Sequence, residues 1–527
     1  MSRDLTRRDF IKMTGAVGVA LSTGDMIQSA PVGWAGKKPN IVLICSDMVG
    51  AMHFGCYGDP AQVTAHIDSL GRSGVIFDQA YCASTPCIPA RACMFTGQYS
   101  HTHGKTAHVK MPLDPKPVLI PEVLSQNGYH TAVLGKTHWW PSASTLGSDE
   151  AYLTIDTHLG GELGEKEAYW EFLRERNLLQ YYLSNYRKTK LRLSPEKLPP
   201  DCLRVNWMGD TACSLLEKFS GEQRPFFLYC SFVAPHGAGS VQKSHLEKFK
   251  DIPLRSMIGL ENQKMLDHED LTKPKIQRAS AKRWRGNYSL DRWRQEIVEY
   301  RRGVYASLNL VDANVGKIMR KLDSLNLSHN TYVFFITDHG DLMGDHSLMS
   351  KTFLYDPAVR IPCVISGPGI PPGQRRKHFV SQVDLFPTIL GFCGIEKKNL
   401  TLEGRDIALI IKDPNRPWRE NLYCEVDSTV HLHSLCRSSI AKMLRTGPWK
   451  YIYTLVDGYI MEEELYHLDD DPEELHNLAY QPTLADRNRL DQFRSEILRW
   501  LVATEPNRLH PAPENHYGYS RIERRYF

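Results

Sequence analysis

Residues Asn40 to Ser46 read NIVLICS, a continuous apolar and β-branched run that ends directly before Asp47. Such a run is typical of a strand that is buried on both faces of a helix-covered sheet. Three later segments have the same character: HTAVLG (His130–Gly135), FFLYCSFV (Phe226–Val233) and TYVFFIT (Thr331–Thr337). Helical patterns lie between them, for example at Tyr300–Leu322. This alternation predicts an α/β domain with a largely parallel or mixed sheet.

Length and composition narrow the class of protein. The chain has 527 residues, of which 42% are hydrophobic, enough for one large domain and a smaller one. A formal net charge of +4 is too small to indicate a nucleic-acid partner. The 12 cysteines show no CxxC pair, so they are expected to be mostly buried thiols and not a disulfide framework or a zinc site.

A Pro-rich break at Lys412–Arg419 (KDPNRPWR) suggests a domain boundary. It follows a predicted helix at Leu385–Phe392, and strand-like runs (LYCEV, WKYIYTL) and a helix at Arg487–Val502 come after it. We therefore expect a catalytic α/β domain over residues 36–415 and a smaller α+β domain over residues 416–527.

The N-terminus carries an export pattern. Residues Thr6 to Lys12 read TRRDFIK and precede a short apolar stretch, Met13–Leu21, about half the length of a membrane span. This resembles a twin-arginine signal, with cleavage near Ala35, which implies the twin-arginine translocon as a partner. An amphipathic N-terminal helix is the alternative. No later segment is long and apolar enough for a span, so we expect a soluble periplasmic or extracellular protein without stable membrane insertion.

Ionisable side chains follow each of the four buried strands. In α/β sheets, ligands bind at the carboxyl ends of strands. One acidic residue at a strand end is often only a helix cap. Ionisable residues after four separate strands instead predict a functional site at one edge of the sheet. The residues are Asp47, then Lys136 and His138, then His236, and finally Asp338 and His339.

A cysteine stands at the start of a predicted helix in CIPARACMFTG. Pro89 suits the first turn, Gly97 suits the stop, and Arg91 lies one turn after Cys87. The positive end of the helix dipole and the arginine both stabilise an anion there. A buried structural cysteine is the alternative interpretation.

These side chains are chemically consistent with one another. Asp47, Asp338 and His339 offer oxygen and nitrogen donors suited to a divalent cation. Positive groups and donors surround them, which favours a tetrahedral oxyanion such as sulfate or phosphate. The donors are Arg91, Lys136, His138, His236 and Lys351.

Four segments in order resemble the sulfatase family. CIPARACMFTGQ resembles its C-x-P-x-R motif, and GKTH (Gly135–His138) is similar to its GKWH. TDHGDLMGDHSLMSK (Thr337–Lys351) resembles its second metal segment, and ELYHLDDDPEELHNLA (Glu464–Ala479) its C-terminal block. The resemblance is to formylglycine-dependent type I, arylsulfatase-like enzymes of the alkaline phosphatase superfamily. It implies a large, mixed, mostly parallel sheet sandwiched by helices, with a smaller C-terminal α+β domain.

The resemblance also implies a nucleophile. Cys87 would be oxidised to Cα-formylglycine by a formylglycine-generating enzyme that recognises Pro89 and Arg91. One hydroxyl of the hydrated aldehyde, a gem-diol, would attack sulfur while Arg91 steadies the diol. The second hydroxyl, bonded to His138, would lose its proton as the sulfated intermediate collapses.

Binding and metal roles are implied in the same way. Lys136, Lys351 and His236 would hold the sulfate oxygens, and His236 or Lys351 would protonate the leaving alcohol. The cation would be bound by Asp47, Asp338, His339 and an oxygen of the diol at residue 87. Met48 stands where the family usually has a second aspartate, and choline sulfatases and phosphonate monoester hydrolases are among the relatives that also lack this aspartate. Calcium is the usual ion, and magnesium or manganese remain open.

Two other functions remain open at this stage. A phosphonate monoester or phosphodiester hydrolase of the same superfamily is one, although GKTH favours a sulfatase. A non-catalytic protein that binds sulfated glycans through an unconverted Cys87 is the other. The expected substrate is a sulfated carbohydrate. The run Lys282–Arg302 is rich in arginine and aromatic residues, and it is either a solvated helix face or a surface at the edge of the site that binds substrate. His101 and His103 are interpreted as structural.

Overall fold

The computed structural model describes residues 38–107, 117–139, 146–154, 167–186, 193–236, 241–428, 432 and 434–504. Its main feature is an eight-stranded sheet in the order β4-β3-β5-β1-β6-β7-β2-β8. Every strand pairing is parallel except those of β7, which runs antiparallel to both its neighbours. The strands are β1 (Asn40–Ser46), β2 (Val75–Tyr81), β3 (His130–Gly135), β4 (Glu150–Leu153), β5 (Phe226–Ser231), β6 (Thr331–Thr337), β7 (Cys363–Ser366) and β8 (Gln374–Ser381).

Strand β1 shows why the sheet forms. Ile41 and Leu43 belong to one buried apolar cluster, whereas Val42 and Ile44 belong to a second cluster on the other face. A strand with apolar cover on both sides needs an unbroken apolar sequence, which NIVLICS supplies. The four predicted buried strands are adjacent in the sheet, in the order β3-β5-β1-β6.

Helices cover both faces of this sheet. The α-helices of the described residues are α1 (Ala65–Arg72), α2 (Cys87–Thr96), α3 (Ser100–His103), α4 (Ile120–Gln126), α5 (Ala168–Glu175), α6 (Leu179–Tyr186), α7 (Arg204–Ser220), α8 (Lys243–Leu246), α9 (Gln263–Thr272), α10 (Lys275–Arg285), α11 (Leu290–Ser324), α12 (Asp356–Val359), α13 (Leu385–Cys393), α14 (Ala408–Lys412) and α15 (Leu484–Thr504). Short 3-10 turns lie at Ala51–His53, Gly55–Tyr57, Pro200–Cys202, Glu247–Phe249, Ser328–Asn330, Asp345–Ser347 and Gln382–Asp384. Side chains of α2, α4 and α13 join the first apolar cluster, and those of α1, α7 and α11 join the second. The predicted fold, a mostly parallel sheet between layers of helices, is confirmed.

A second sheet lies near the end of the described chain. Its four antiparallel strands have the order β12-β11-β10-β9, and α15 packs on it through Leu490, Phe493 and Trp500. These strands are β9 (Asn421–Asp427), β10 (Ser439–Thr446), β11 (Trp449–Val456) and β12 (Ile460–His467). The expected smaller α+β unit is therefore present, while its boundary at residue 416 stays a prediction.

Buried charges join this second sheet to helix α12 of the main domain. Lys450 Nζ on β11 lies 2.9 Å from Asp356 Oδ1 and 2.6 Å from Glu474 Oε1. Lys450 and Glu474 are almost fully buried, so loss of Lys450 would leave Glu474 buried without the cation that compensates it. Because Asp356 begins α12, shortly after Lys351, the second sheet helps to fix the segment that carries predicted site residues.

The remaining features concern cysteines and membranes. All 12 cysteines are free thiols, and every one except Cys56 is buried. None of the helices in the described part of the chain combines the length and the apolar character that a membrane span requires. The predicted signal peptide, residues 1–35, lies outside the described residues.

Candidate active site

The ionisable residues that follow the four buried strands lie at one edge of the sheet. Asp47, Lys136 and Asp338 directly follow β1, β3 and β6, and His236 comes shortly after β5. Because these four strands are parallel neighbours, their carboxyl ends lie side by side. The sheet thus brings together side chains that are far apart in the sequence.

Cys87 is the first residue of α2. Pro86 is the extended N-cap residue, and the helix ends at Gly97, whose φ of 66° is left-handed. The Cys87 Sγ atom lies 3.1 Å from Lys351 Nζ and 3.1 Å from His339 Nε2. Although burial by itself raises the pKa of the Cys87 thiol, the Lys351 ammonium and further positive neighbours hold it well below its usual range. The helix start is therefore an anion-stabilising position, as its sequence predicts.

Arg91 lies one turn further along α2 and is fully buried. Its Nε donates to Asp338 Oδ2 at 2.9 Å, and an Nη donates to Asp47 Oδ2 at 3.2 Å. The other Nη donates to three oxygens, those of the Lys136 carbonyl (2.7 Å), the Tyr229 hydroxyl (2.9 Å) and the Ser231 hydroxyl (2.6 Å). Each nitrogen of the guanidinium is thus engaged, and Arg91 holds the two carboxylates in place; its steadying of a diol stays a prediction.

Tyr229 and Ser231 were not identified from the sequence as site residues. Both lie on β5, and a polar Ser231 at the end of the run FFLYCS was the available signal. Gln382, which donates from Nε2 to the Asp338 carbonyl oxygen at 3.0 Å, gave no such signal.

Four side chains offer a buried set of ligand atoms for a cation. One ligand atom from each of Asp47, Cys87, Asp338 and His339 lies within 4.8 Å of the others. The His339 Nδ1 lies 2.8 Å from the Gly340 carbonyl oxygen, which leaves Nε2 facing the group. Although burial opposes it most strongly, the Lys136 ammonium and other positive neighbours lower the pKa of Asp47 to about 2, so this carboxylate is ionised at neutral pH.

Lys136 enters the site immediately after a required glycine. Gly135 has a φ of 95°, and a Cβ there would lie 2.1 Å from the Ser231 carbonyl oxygen, so another residue would strain the turn. The fully buried Lys136 Nζ lies 2.5 Å from Asp47 Oδ2. The glycine of GKTH therefore sets the path of the chain that carries the lysine.

His138 and His236 differ in their surroundings. Burial, reinforced by the Lys136 ammonium, lowers the pKa of His138 to about 3, so its imidazole is uncharged at neutral pH. His236 is half-buried, and its Nε2 lies 3.3 Å from Lys351 Nζ. Lys351 Nζ also lies 3.5 Å from the Met48 thioether sulfur, so Met48 lines the site without adding a charge.

Apart from residue 87, the site has more positive than negative side chains. The cations are Arg91, Lys136 and Lys351, and the carboxylates are Asp47 and Asp338. This excess, in a buried setting, stabilises a bound tetrahedral anion and the charge that develops on its leaving group.

Two other segments lie apart from this cluster. His101 Nδ1 lies 3.0 Å from Glu425 Oε1 and its Nε2 lies 2.7 Å from Thr504 Oγ1, so it ties α3 to β9 and α15. His103 Nε2 lies 3.4 Å from Cys93 Sγ. The candidate cation group of the described residues includes neither histidine. The run Lys282–Arg302 forms the end of α10 and the start of α11.

Comparison with known proteins identifies the family. The family model described as Sulfatase matches residues 39–395, which is most of the chain and includes every predicted site residue. The chain belongs to the sulfatase family. It is a sulfuric ester hydrolase, and the interpretation as a non-catalytic glycan-binding protein is set aside. A second model, described as N-sulphoglucosamine sulphohydrolase, C-terminal, matches residues 344–498 of this sulfatase.

Individual relatives cover nearly the whole sulfatase chain. An arylsulfatase of Clostridium perfringens is 26% identical over 89% of this chain and 95% of its own length. An N-acetylglucosamine-6-O-sulfatase of Bacteroides thetaiotaomicron is 24% identical over 89% and 88%. The structure of a phosphonate monoester hydrolase of Agrobacterium radiobacter superposes with a TM-score of 0.72 at 21% identity, over 89% of this chain and 96% of that one, which shows the shared fold.

Proposed function

We propose that this sulfatase is exported and hydrolyses a sulfate ester of a sulfated carbohydrate. The nucleophile would be a formylglycine formed from Cys87, and a divalent cation would bind beside it. The observation that carries the proposal is the surroundings of Cys87 Sγ, which lies 3.1 Å from both Lys351 Nζ and His339 Nε2. In the mature enzyme, an oxygen of hydrated formylglycine would occupy the position of this sulfur. A structural cysteine has no need of a buried ammonium at this distance.

The donor set fits a divalent cation. Two carboxylates, an imidazole nitrogen and the residue-87 atom converge, and hard cations prefer such oxygen-rich ligands. When bound, the ion would supply positive charge next to the sulfate oxygens. Arg91 would keep Asp47 and Asp338 oriented toward it. Calcium is our first choice of ion, and the single imidazole ligand allows magnesium or manganese.

Each remaining residue has a role that its position supports. Lys136 and Lys351 would bind the non-bridging sulfate oxygens, because both ammonium groups are buried beside residue 87. His236, half-buried and next to Lys351, would donate a proton to the leaving alcohol, with Lys351 as the alternative donor. His138, neutral and in contact with Cys87, would accept the proton of the second hydroxyl.

Support for a carbohydrate substrate comes from a relative. The Bacteroides protein is described as an N-acetylglucosamine-6-O-sulfatase, and its match covers 89% of the present chain. Support for export comes from the pair Arg7 and Arg8 in TRRDFIK. Export by a folded-protein translocon would place formylglycine formation in the cytoplasm, before transport.

A phosphonate monoester or phosphodiester hydrolase is the second candidate. Met48 favours it, because the thioether beside Asp47 leaves the cation site with one carboxylate fewer than sulfatases usually have. Lys136 opposes it, because its ammonium occupies the space near Asp47 that a second ester group would need. We therefore place sulfate monoesters first.

Mass spectrometry of the peptide that carries residue 87, combined with a sulfate-release assay, tests the proposal. In active enzyme this peptide is expected to have the mass of formylglycine and to react with a carbonyl-specific probe. The Cys87→Ala variant is expected to fold normally and to release no sulfate. Full activity with an unmodified thiol would refute the formylglycine mechanism.

A further inference from the structure

Helix α10 lies along the loop that leads to Lys351. Its buried residues Gln277 and Ala281 share one face, and the Gln277 side chain bonds to Tyr355 and Glu464. Trp284 comes seven residues after Gln277 and therefore continues the same face. Its side chain is 48% exposed, so a face that packs against the protein ends in a large aromatic ring open to solvent.

Apolar packing links a second exposed aromatic residue to the same loop. Met349, two residues before Lys351, packs in a small cluster with the buried Trp293 of α11. The ring of Tyr288 stacks on Trp293 with centroids 6.5 Å apart and an interplanar angle of 23°. Tyr288 is 46% exposed. The loop that carries Lys351 therefore packs on the same small cluster as Trp293, the residue on which Tyr288 stacks.

Hydrogen bonds reach the same region on the other side of Lys351. The Ser428 hydroxyl donates to the Thr352 carbonyl oxygen at 3.1 Å, directly after the lysine. A few residues later, the Ser434 hydroxyl accepts a hydrogen bond from Arg283. The chain segment that bonds to Thr352, directly after Lys351, thus also bonds to the last turn of α10.

The charge of this region is positive. The last turn of α10 carries Lys282, Arg283 and Arg285. Arg285 pairs with Asp270 at 3.0 Å, whereas Lys282 and Arg283 form no ion pair with another residue in the described ranges. Aromatic faces stack on sugar rings, and arginine pairs with sulfate groups. Both features match an anionic sugar chain.

We propose that Arg283, Trp284 and Tyr288, together called the Trp284 platform, form a second binding site of this sulfatase. This inference rests on the proposed function. The platform binds a sugar unit next to the one whose sulfate is cleaved, with both Trp284 and Tyr288 in contact with the sugar and Arg283 against an anionic group. The enzyme would then act on sulfated oligosaccharides of two or more sugars in preference to monosaccharides.

Matched substrates test the platform. The wild type, Trp284→Ala, Tyr288→Ala and Trp284→Phe are assayed for kcat/KM on an aryl sulfate, on sulfated tetrasaccharides from heparin, chondroitin sulfate and carrageenan, and on the corresponding sulfated monosaccharides. Each alanine variant is expected to lose about threefold to tenfold on the tetrasaccharide that the wild type cleaves, as for loss of one aromatic contact, and nothing on the aryl sulfate. Trp284→Phe is expected to retain most of the activity. Tyr480→Ala, at another aromatic residue that is 43% exposed, is the matched control and is expected to change neither rate.

The possible failures can be told apart. A wild type that releases no sulfate from any substrate would refute the proposed function. A wild type that cleaves the aryl sulfate but no tetrasaccharide, or that cleaves monosaccharide and tetrasaccharide equally well, would overturn the platform alone. So would alanine variants that lose neither activity or lose both equally.

Discussion

Replacing Arg91 with methionine tests how the centre of the site is held together. The guanidinium is fully buried and bonds to the carboxylates of Asp338 and Asp47 at 2.9 and 3.2 Å. Removal of one partner from a buried ion pair costs about 3 to 5 kcal/mol, because the remaining charge is left uncompensated. Lys136 still pairs with Asp47 in the variant, so Asp338 carries most of the loss.

This free energy corresponds to a measurable shift in melting temperature. The entropy of unfolding is about 2.1 cal/mol/K per residue, which for a chain of this length gives about 1 kcal/mol per kelvin. Arg91→Met in EDTA is therefore expected to melt about 3 to 5 °C below the wild type, measured by circular dichroism. Added calcium is expected to raise the melting temperature of the variant more than that of the wild type, because the ion restores positive charge between the carboxylates.

An exposed arginine provides the control. Arg499 is 71% exposed at its side chain and forms a surface ion pair with Glu496, so Arg499→Met is expected to shift the melting temperature by less than about 1 °C. If Arg91→Met melted within 1 °C of the wild type, the reasoning that this arginine compensates two buried carboxylates would be wrong.

Three further predictions concern selectivity, export and acid stability. Lys136→Ala is expected to lower kcat/KM for an aryl sulfate about a hundred- to a thousandfold while sparing any weak phosphodiesterase activity; equal losses on matched substrates would contradict the sulfate assignment. Arg7→Lys combined with Arg8→Lys is expected to keep the folded protein in the cytoplasm, and normal recovery in the periplasmic fraction would argue against the signal. Burial raises the pKa of Glu425, but Lys442 and His101 outweigh it and lower the value to about 2. The ionised Glu425 therefore stabilises the fold above its ordinary pKa near 4.5, and this stabilisation is lost as the pH falls toward 2. The difference in melting temperature between the wild type and Glu425→Gln is expected to shrink between pH 4.5 and pH 2. A difference that stayed constant over this pH range would refute the reasoning.

Much of the site could be predicted because its residues are attached to strong local signals. Asp47, Lys136 and Asp338 each follow an apolar run that could only be a buried strand, and parallel strands align their carboxyl ends. Cys87 stands where a proline and a glycine mark the ends of a helix. In these cases the local pattern determines the element, and the element determines which end carries the chemistry.

Other contacts have no local signal. Gln382 and Tyr229 reach the site from segments whose sequence only shows that they are structured. Their roles depend on which side chains meet across the sheet, which no spacing in the chain encodes.

The sequence by itself determined the mostly parallel sheet, the rim that carries the site, and the residues Cys87, Arg91 and His339 as its members. Apolar periodicity and helix-capping residues act over a few neighbouring positions, so a linear pattern is sufficient to specify them. Only the tertiary structure decided that Arg91 joins Asp47 to Asp338, and that Lys351 lies 3.1 Å from Cys87 Sγ. These contacts connect residues from 44 to 264 positions apart, and their distances are set by how strands and helices pack, which is a property of the whole core.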